Sequence, residues 1–324
     1  MRLTPKFFGI LLGIVAVVFA VAANAETQKL PDCAQIKDDK ERLRCFDEAA
    51  AKKTETEEGA EKPALDRRIE KERDLARRAF AILPHRPNYI LYTYAHQPNE
   101  APFLPVDPAT NFEHAELKYQ LSLRVPLMNN LIANNGDLWF GYTQQSYWQA
   151  FNSRMSSPFR ETNYEPEMGL SFDTRFTVLG LEQRMISIGF AHQSNGRSDP
   201  LSRSWNRYWA SVDFQRENFT LTLKSWYRVK EKPATDNNPD IEDYVGRGEL
   251  RAAYKHGDQV WSVLWRNSLR APERRSGVEM DWSVPFSRRI KGLVQGFTGY
   301  GESMIDYNVY MRRIGVGILV EDWL

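Results

Sequence analysis

From Asn88 to the C-terminus the chain is written with a period of two. Leu117, Tyr119, Leu121, Leu123 and Val125 alternate with Lys118, Gln120, Ser122 and Arg124. Phe219, Leu221 and Leu223 alternate with Thr220, Thr222 and Lys224, and Val278, Met280, Trp282 and Val284 with Glu279, Asp281 and Ser283. Successive side chains of a strand point to opposite faces, so each run makes a strand with one apolar and one polar side. About twelve such runs occur, near 88–95, 115–126, 137–149, 166–176, 184–194, 205–215, 218–229, 246–256, 259–267, 277–285, 291–300 and 310–324.

Short alternating strands build either a soluble sandwich or a membrane barrel. Three features favour the barrel. The runs reach about ten residues, the length that crosses a bilayer at a tilt. The polar face carries charges, among them Arg124, Lys224, Arg251 and Asp281, which suit a wet lumen rather than a core. Aromatics crowd the strand ends at Tyr147-Trp148, Trp226-Tyr227 and Trp282, where interfacial girdles lie. The last run places Ile314, Val316, Ile318, Val320 and Leu324 on one face, as a closing C-terminal strand requires. The expectation is an all-β, twelve-stranded antiparallel transmembrane barrel over 88–324.

The first 87 residues have another texture. Arg2 and Lys6 precede an apolar core from Phe7 to Ala22, and Ala23-Asn24-Ala25 supplies a small-residue cleavage point, so residues 1–25 read as a signal peptide. Residues 26–87 are rich in Lys, Glu, Ala and Arg and nearly free of aromatics, and read as a solvated helical or disordered periplasmic extension. It holds the chain's two cysteines, Cys33 and Cys45. On one straight helix they stand about 18 Å apart, too far to bridge. A reversal at Lys37-Asp38-Asp39-Lys40 brings them together, and an exported chain meets an oxidising compartment, which favours a disulfide-closed helical hairpin over two free thiols. Whole-chain charge is balanced, 43 Lys+Arg against 42 Asp+Glu, and points to no nucleic-acid partner.

One stretch carries chemistry. Ile186, Ile188, Phe190, His192 and Ser194 share a strand face, so a base and a hydroxyl stand two residues apart at the end of an apolar stripe. A hairpin folded about Asp199 sets Asn206 beside His192, at the head of a run in which Tyr208, Ala210, Val212 and Phe214 share its face. A serine hydroxyl needs a base to become a nucleophile, and the imidazole needs a third group to hold its tautomer. An amide oxygen does this without the desolvation cost of a bare carboxylate. A catalytic set on a greasy face makes sense in a membrane, and the chain reads as a lipid-cleaving enzyme. His85, His96, His114 and His256 have no metal-ligand spacing and read as surface residues.

His192 through Arg207, HQSNGRSDPLSRSWNR, resembles a signature of the outer membrane phospholipase A family of Gram-negative bacteria. Asn152 through Pro166 and Gly299 through Asn308 match two further signatures, and the likeness covers roughly 88–324. The resemblance implies a lipid-facing triad that hydrolyses phospholipids and lysophospholipids with calcium, in an outer-membrane homodimer. By position it makes Ser194 the nucleophile, His192 the base and Asn206 its orienter, with Gly196 lending an N–H to the oxyanion hole. Calcium falls to the Arg197 carbonyl and the Ser202 hydroxyl, with Ser156 reaching in from the partner subunit. Gln144 matches a glutamine buried at the dimer interface. Two departures stand out: Gln193 replaces an acidic residue, and Asn237 follows Asp236 where the family keeps a weaker calcium site, leaving Asp236 and Asp199 as candidates. The competing reading is a non-enzymatic outer-membrane barrel, a porin or adhesin.

Overall fold

The alternating runs become strands that pair edge to edge until the sheet closes. The computed structural model describes Cys33, Ile36, residues 38–47, 62–76, Arg78, 81–132, 134–268, 275–287 and 290–324. The strands are β1 (Asn88–Ala95), β2 (Ala115–Met128), β3 (Asp137–Trp148), β4 (Phe159–Val178), β5 (Leu181–Ser194) and β6 (Ser204–Arg216). The second half comprises β7 (Phe219–Arg228), β8 (Gly248–His256), β9 (Gln259–Asn267), β10 (Ser276–Pro285), β11 (Lys291–Gly299) and β12 (Met311–Glu321). Each is antiparallel to its neighbour, and β12 pairs with β1 through Val316 and Tyr92, so these twelve form a barrel without edges. A two-residue strand at Leu83–Pro84 adds a short pairing to β2.

The alternation is realised as outside and inside. In β1, Tyr89, Leu91 and Thr93 are buried while Ile90, Tyr92 and Tyr94 are exposed. Ile314, Val316, Ile318 and Val320 likewise face outward from β12. An apolar outer belt over a polar interior suits hydrocarbon outside and water or ion pairs inside. One barrel end has tight turns, with left-handed residues at Leu179 and Gly180, at Glu217 and at Gly257. Such turns match the twist of hairpin strands. The other end carries the longer connections at 96–114, 149–158, 195–203, 229–247 and 300–310. Short periplasmic turns and long extracellular loops orient the barrel in an outer membrane.

Both mouths are filled. Toward the long loops, Arg160 lies between Glu116 (3.1 Å) and Asp306 (2.7 Å), and Arg313 bonds Glu302 and Glu116 at 2.6 Å each. The 300–310 loop folds inward, its Met304 and Ile305 amides donating to Asn163 and Glu161. At the opposite mouth sits α1 (Ala64–Ala76), with Ala64, Asp66 and Ile69 buried. Asp66 accepts from Arg184 and from Gln215 (2.8 Å), Glu72 pairs with Arg124, and Arg73 reaches Asp173 (2.9 Å). The charge of this part of the N-terminal segment is thus spent on barrel partners as well as on solvent. The chain from α1 to β1 continues inside the wall, where Arg86 bridges Glu165 and Glu167. Cavities of about 120 and 230 Å³ remain along the lumen.

Farther upstream, Cys33 and Cys45 are joined in a disulfide with Cα atoms 5.7 Å apart, and residues 39–47 are helical. Residues 1–25, read from the sequence as a signal peptide, lie outside the described residues.

Several local expectations need correction. β4 begins at Phe159 rather than near 166, because Pro166 sits within a strand whose missing N–H falls at a gap in the ladder. Leu324 does not share the outer row of β12: the strand ends at Glu321, and the chain's end turns inward, with Arg251 4.0 Å over the Trp323 ring. Of the aromatic pairs taken for girdles, Tyr147 and Trp226 are buried inside, since adjacent residues cannot both face lipid. His85 is not a surface residue either. It lies inside the barrel wall, 2.7 Å from the buried Glu167 carboxylate and against Trp139.

Candidate active site

β5 and β6 pair without interruption from Ile186↔Val212 to Ser194↔Ser204, and this register sets His192 directly opposite Asn206. The midpoint of the pairing is Asp199, as the hairpin expectation required. Parity decides the face. Ile188, Phe190 and Tyr208, an even number of residues from the pair, are exposed. Ala191 and Trp205, at odd spacing, are buried, and Gln193 lines the inner cavity. His192, Ser194 and Asn206 therefore project from the outer wall, half-buried among apolar neighbours.

Nδ1 of His192 lies 2.9 Å from Oδ1 of Asn206. An amide oxygen only accepts, so Nδ1 carries the hydrogen and Nε2 keeps its lone pair for a proton arriving from the hydroxyl side. Ser194 stands two residues along the same strand face.

The turn after Ser194 is held by one residue that pattern reading did not single out. Asn195 is buried; its amide oxygen accepts from the Arg203 N–H (2.9 Å) and the Arg197 N–H (3.4 Å), while its NH₂ donates to the Leu201 carbonyl (2.8 Å). Asn238, fully buried in the 229–247 loop, accepts from the Ser204 N–H (3.0 Å) and fixes the start of β6. Nothing in a single sequence separates these asparagines from ordinary turn residues. Gly196 sits at φ +63°, and a Cβ there meets the Tyr164 ring at 3.1 Å. Glycine is what this turn and this close approach both demand.

Across β4, Tyr164 is opposite Ser194, and Gln144 on β3 is opposite Tyr164. Gln144 thus belongs to the cross-strand row of Ser194, two strands or about 10 Å away. Pro166 falls opposite His192 where the β4–β5 pairings are interrupted between Tyr164↔Ser194 and Glu167↔Ala191.

The oxygen-bearing residues expected around a cation are less uniformly gathered. The Arg197 side chain donates to the Phe159 and Arg160 carbonyls (2.8 Å each), which ties the 195–203 turn to the base of β4. Ser202 is half-buried in the same turn. Ser156 is exposed on the 149–158 loop, in a left-handed conformation after the short helix Ser153–Met155. Asp236 is engaged elsewhere: Arg228 holds it at 2.6 Å, and it accepts from the Asn238 N–H at 3.2 Å. Asp199 is exposed at the turn tip. Among the described residues no group of three carboxylate, imidazole or thiolate side chains is poised for a metal.

A family model for phospholipase A1 matches residues 65–320. The phospholipase A1 of Klebsiella pneumoniae is 40% identical over 243 residues, 75% of this chain and 83% of that protein. The Escherichia coli K12 phospholipase A1 is also 40% identical, over 82% of its length. The chain belongs to the phospholipase A1 family. The solved outer membrane phospholipase A from E. coli superposes with a TM-score of 0.71 at 40% identity, covering 76% of this chain and all of that one. A calcium-bound dimer of the Salmonella typhi outer membrane phospholipase matches with a TM-score of 0.72 at 37% identity, over 77% of this chain and 96% of that one. This phospholipase is an outer-membrane enzyme, and its twelve-stranded barrel is the fold of those structures.

Proposed function

We propose that Ser194, His192 and Asn206 form the catalytic relay of a calcium-dependent, homodimeric phospholipase acting on phospholipids and lysophospholipids from the hydrocarbon side of the barrel. The observation that carries this is the 2.9 Å contact between His192 Nδ1 and Asn206 Oδ1 on the lipid-facing row that also bears Ser194. His192 Nε2 takes the Ser194 proton as Oγ attacks the ester carbonyl, and Asn206 keeps the imidazolium in place. The Gly196 N–H stabilises the oxyanion. As the tetrahedral species collapses, the imidazolium protonates the departing alcohol, and water then releases the fatty acid by the same route.

The oxygens offered to a cation are the Arg197 carbonyl and the Ser202 hydroxyl, with Ser156 of a second subunit completing the set. These are hard, neutral donors of the kind calcium accepts. Bound calcium supplies positive charge that polarises the ester carbonyl. Asp236 is a weaker candidate for a second cation, since leaving Arg228 exposes a buried guanidinium to loss of its partner. Gln144, half-buried on the outer face, is the residue for dimer contact, because an amide in hydrocarbon gains by pairing with its symmetry mate.

The barrel alone is compatible with a porin or adhesin. Against a porin stand the ion pairs of Arg160 and Arg313 at one mouth and α1 at the other. The deciding measurement is hydrolysis of phosphatidylcholine in detergent, with and without calcium, by wild type and Ser194→Ala together. Wild type should be active only with calcium, and Ser194→Ala should lose at least about three orders of magnitude while keeping heat-modifiable gel mobility. Hydrolysis by Ser194→Ala at the wild-type rate would remove the relay.

A further inference from the structure

Behind the outer row that bears His192, Ser194 and Asn206 stands an inner row of polar contacts. Gln193 points into the lumen between His192 and Ser194, and Trp205 and Arg207 point inward on either side of Asn206. Trp205 lies directly opposite Gln193 and Arg207 diagonal to it, both within cross-strand reach. Gln193 Oε1 accepts from both, from Trp205 Nε1 at 2.8 Å and from Arg207 Nη2 at 3.2 Å. The same Nη2 lies 3.2 Å from Glu165 Oε1 on β4, and Arg86 holds that oxygen at 2.8 Å. The Arg207 guanidinium sits 4.1 Å over the Trp205 ring, and Trp205, Arg207 and Glu165 are all buried.

We propose that Gln193 is a positioning residue, which keeps Asn206 in contact with His192 from the opposite side of the sheet. The inference rests on the relay proposed above and adds what holds it in register. Its weight comes from a break in the wall. Beside His192 and Gln193 the β4–β5 pairings are interrupted, where Pro166 has no N–H to give. β5 is therefore paired on its β6 side alone at the residue that carries the imidazole. The run of contacts from Glu165 through Arg207 to Gln193 crosses that interval inside the barrel and joins all three strands.

What matters at Gln193 is the acceptor rather than the bulk. A buried indole N–H and a buried guanidinium are costly to leave unpaired, and both turn to one oxygen of this one side chain. Without it the two residues flanking Asn206 settle on other partners, and the strand between them shifts with them. A misplacement of about 1 Å in a reacting set can cost about 100-fold in rate, so a loosened clamp should cost a fraction of what removing Asn206 costs. The loss should fall on kcat and spare KM, since Gln193 faces the lumen and stands away from lipid.

The test measures kcat and KM on phosphatidylcholine in detergent with calcium for wild type, Gln193→Met, Gln193→Glu, Gln295→Met, Asn206→Ala and the double variant Gln193→Met/Asn206→Ala. Gln193→Met keeps the length and removes the acceptor, whereas Gln193→Glu keeps an acceptor beside Arg207. Gln295→Met makes the same change on the inner face of β11, where the buried Gln295 accepts from Lys118 at 2.7 Å. Gln193→Met should lower kcat about tenfold with KM within about twofold, while Gln193→Glu and Gln295→Met stay within about threefold of wild type. The double variant should be no slower than Asn206→Ala by more than about twofold, because a clamp that acts through Asn206 has nothing left to hold. The proposal fails if Gln193→Met keeps the wild-type kcat, if Gln193→Glu or Gln295→Met falls as far, or if the two losses multiply in the double variant. Should Gln193→Met give no heat-modifiable barrel, Gln193→Asn, which withdraws the amide by one methylene, takes its place in every comparison. Asn206→Ala at the wild-type rate would instead strike the relay itself.

Discussion

His192 and Asn206 are direct cross-strand partners, and their side chains meet at 2.9 Å on the outside of the barrel. The His192 imidazole is thereby oriented by the most rigid device available to a β protein, a hydrogen-bonded register with fixed side-chain parity. Asn206 meets it from a position that faces hydrocarbon, where an amide is cheaper to keep than a carboxylate.

Removing that amide should misdirect the imidazole rather than unfold the barrel. Asn206→Ala is expected to lower kcat about 100-fold with little change in KM, while Asn206→Asp, which keeps an acceptor, should retain more activity. Steady-state kinetics on one phospholipid in detergent, alongside heat-modifiable mobility, separates the two. A kcat for Asn206→Ala within twofold of wild type would end its role.

Calcium dependence should track the hydroxyls of two loops. Ser202→Ala and Ser156→Ala are each expected to raise the calcium concentration giving half-maximal activity by about tenfold or more, leaving saturating activity less affected. Titrating activity against free calcium measures this. Asp236→Ala should shift that midpoint less and act mainly through Arg228, which loses its 2.6 Å partner.

Gln144 lies in the same cross-strand row as Ser194. Gln144→Ala should reduce the dimer fraction seen by cross-linking in the presence of calcium, by an amount worth about 0.5–2 kcal/mol, and lower activity in parallel. An unaltered dimer fraction would move the interface to another face of the barrel.

α1 should loosen in acid. Burial pushes the Asp66 carboxyl up, but hydrogen bonds from Arg184 and Gln215 outweigh it and hold the group below its usual range. Burial also opposes ionisation of Glu72, and Arg68 and Arg124 reverse the balance in the same direction. A carboxyl whose folded pKa is depressed contributes its stability above the unfolded value, and that contribution is lost as pH falls through the folded one. Docking of α1 should thus be intact above about pH 5 and weaken as the pH falls below about 4. Hydrogen exchange of α1 amides relative to strand amides reads this directly, and Asp66→Asn should flatten part of the dependence.

Much of this protein was legible in its residues because strand parity is local. Alternation assigns a face to each side chain without knowledge of the partner, so a barrel of twelve strands, its polar interior and the shared face of His192 and Ser194 all follow from period two. Asn206 joins them through a turn whose midpoint can be counted. Tertiary structure decided what depends on distant segments. The buried asparagines at 195 and 238 gain meaning only from the backbone groups they satisfy, and His85 becomes an interior residue only because Glu167, 82 positions away, stands beside it. The segment read as solvated charge ends in a helix seated in the barrel mouth, since its acids find arginines on strands that no local pattern connects to it. Local sequence dictates which way a side chain points; only closure of the sheet determines what it meets.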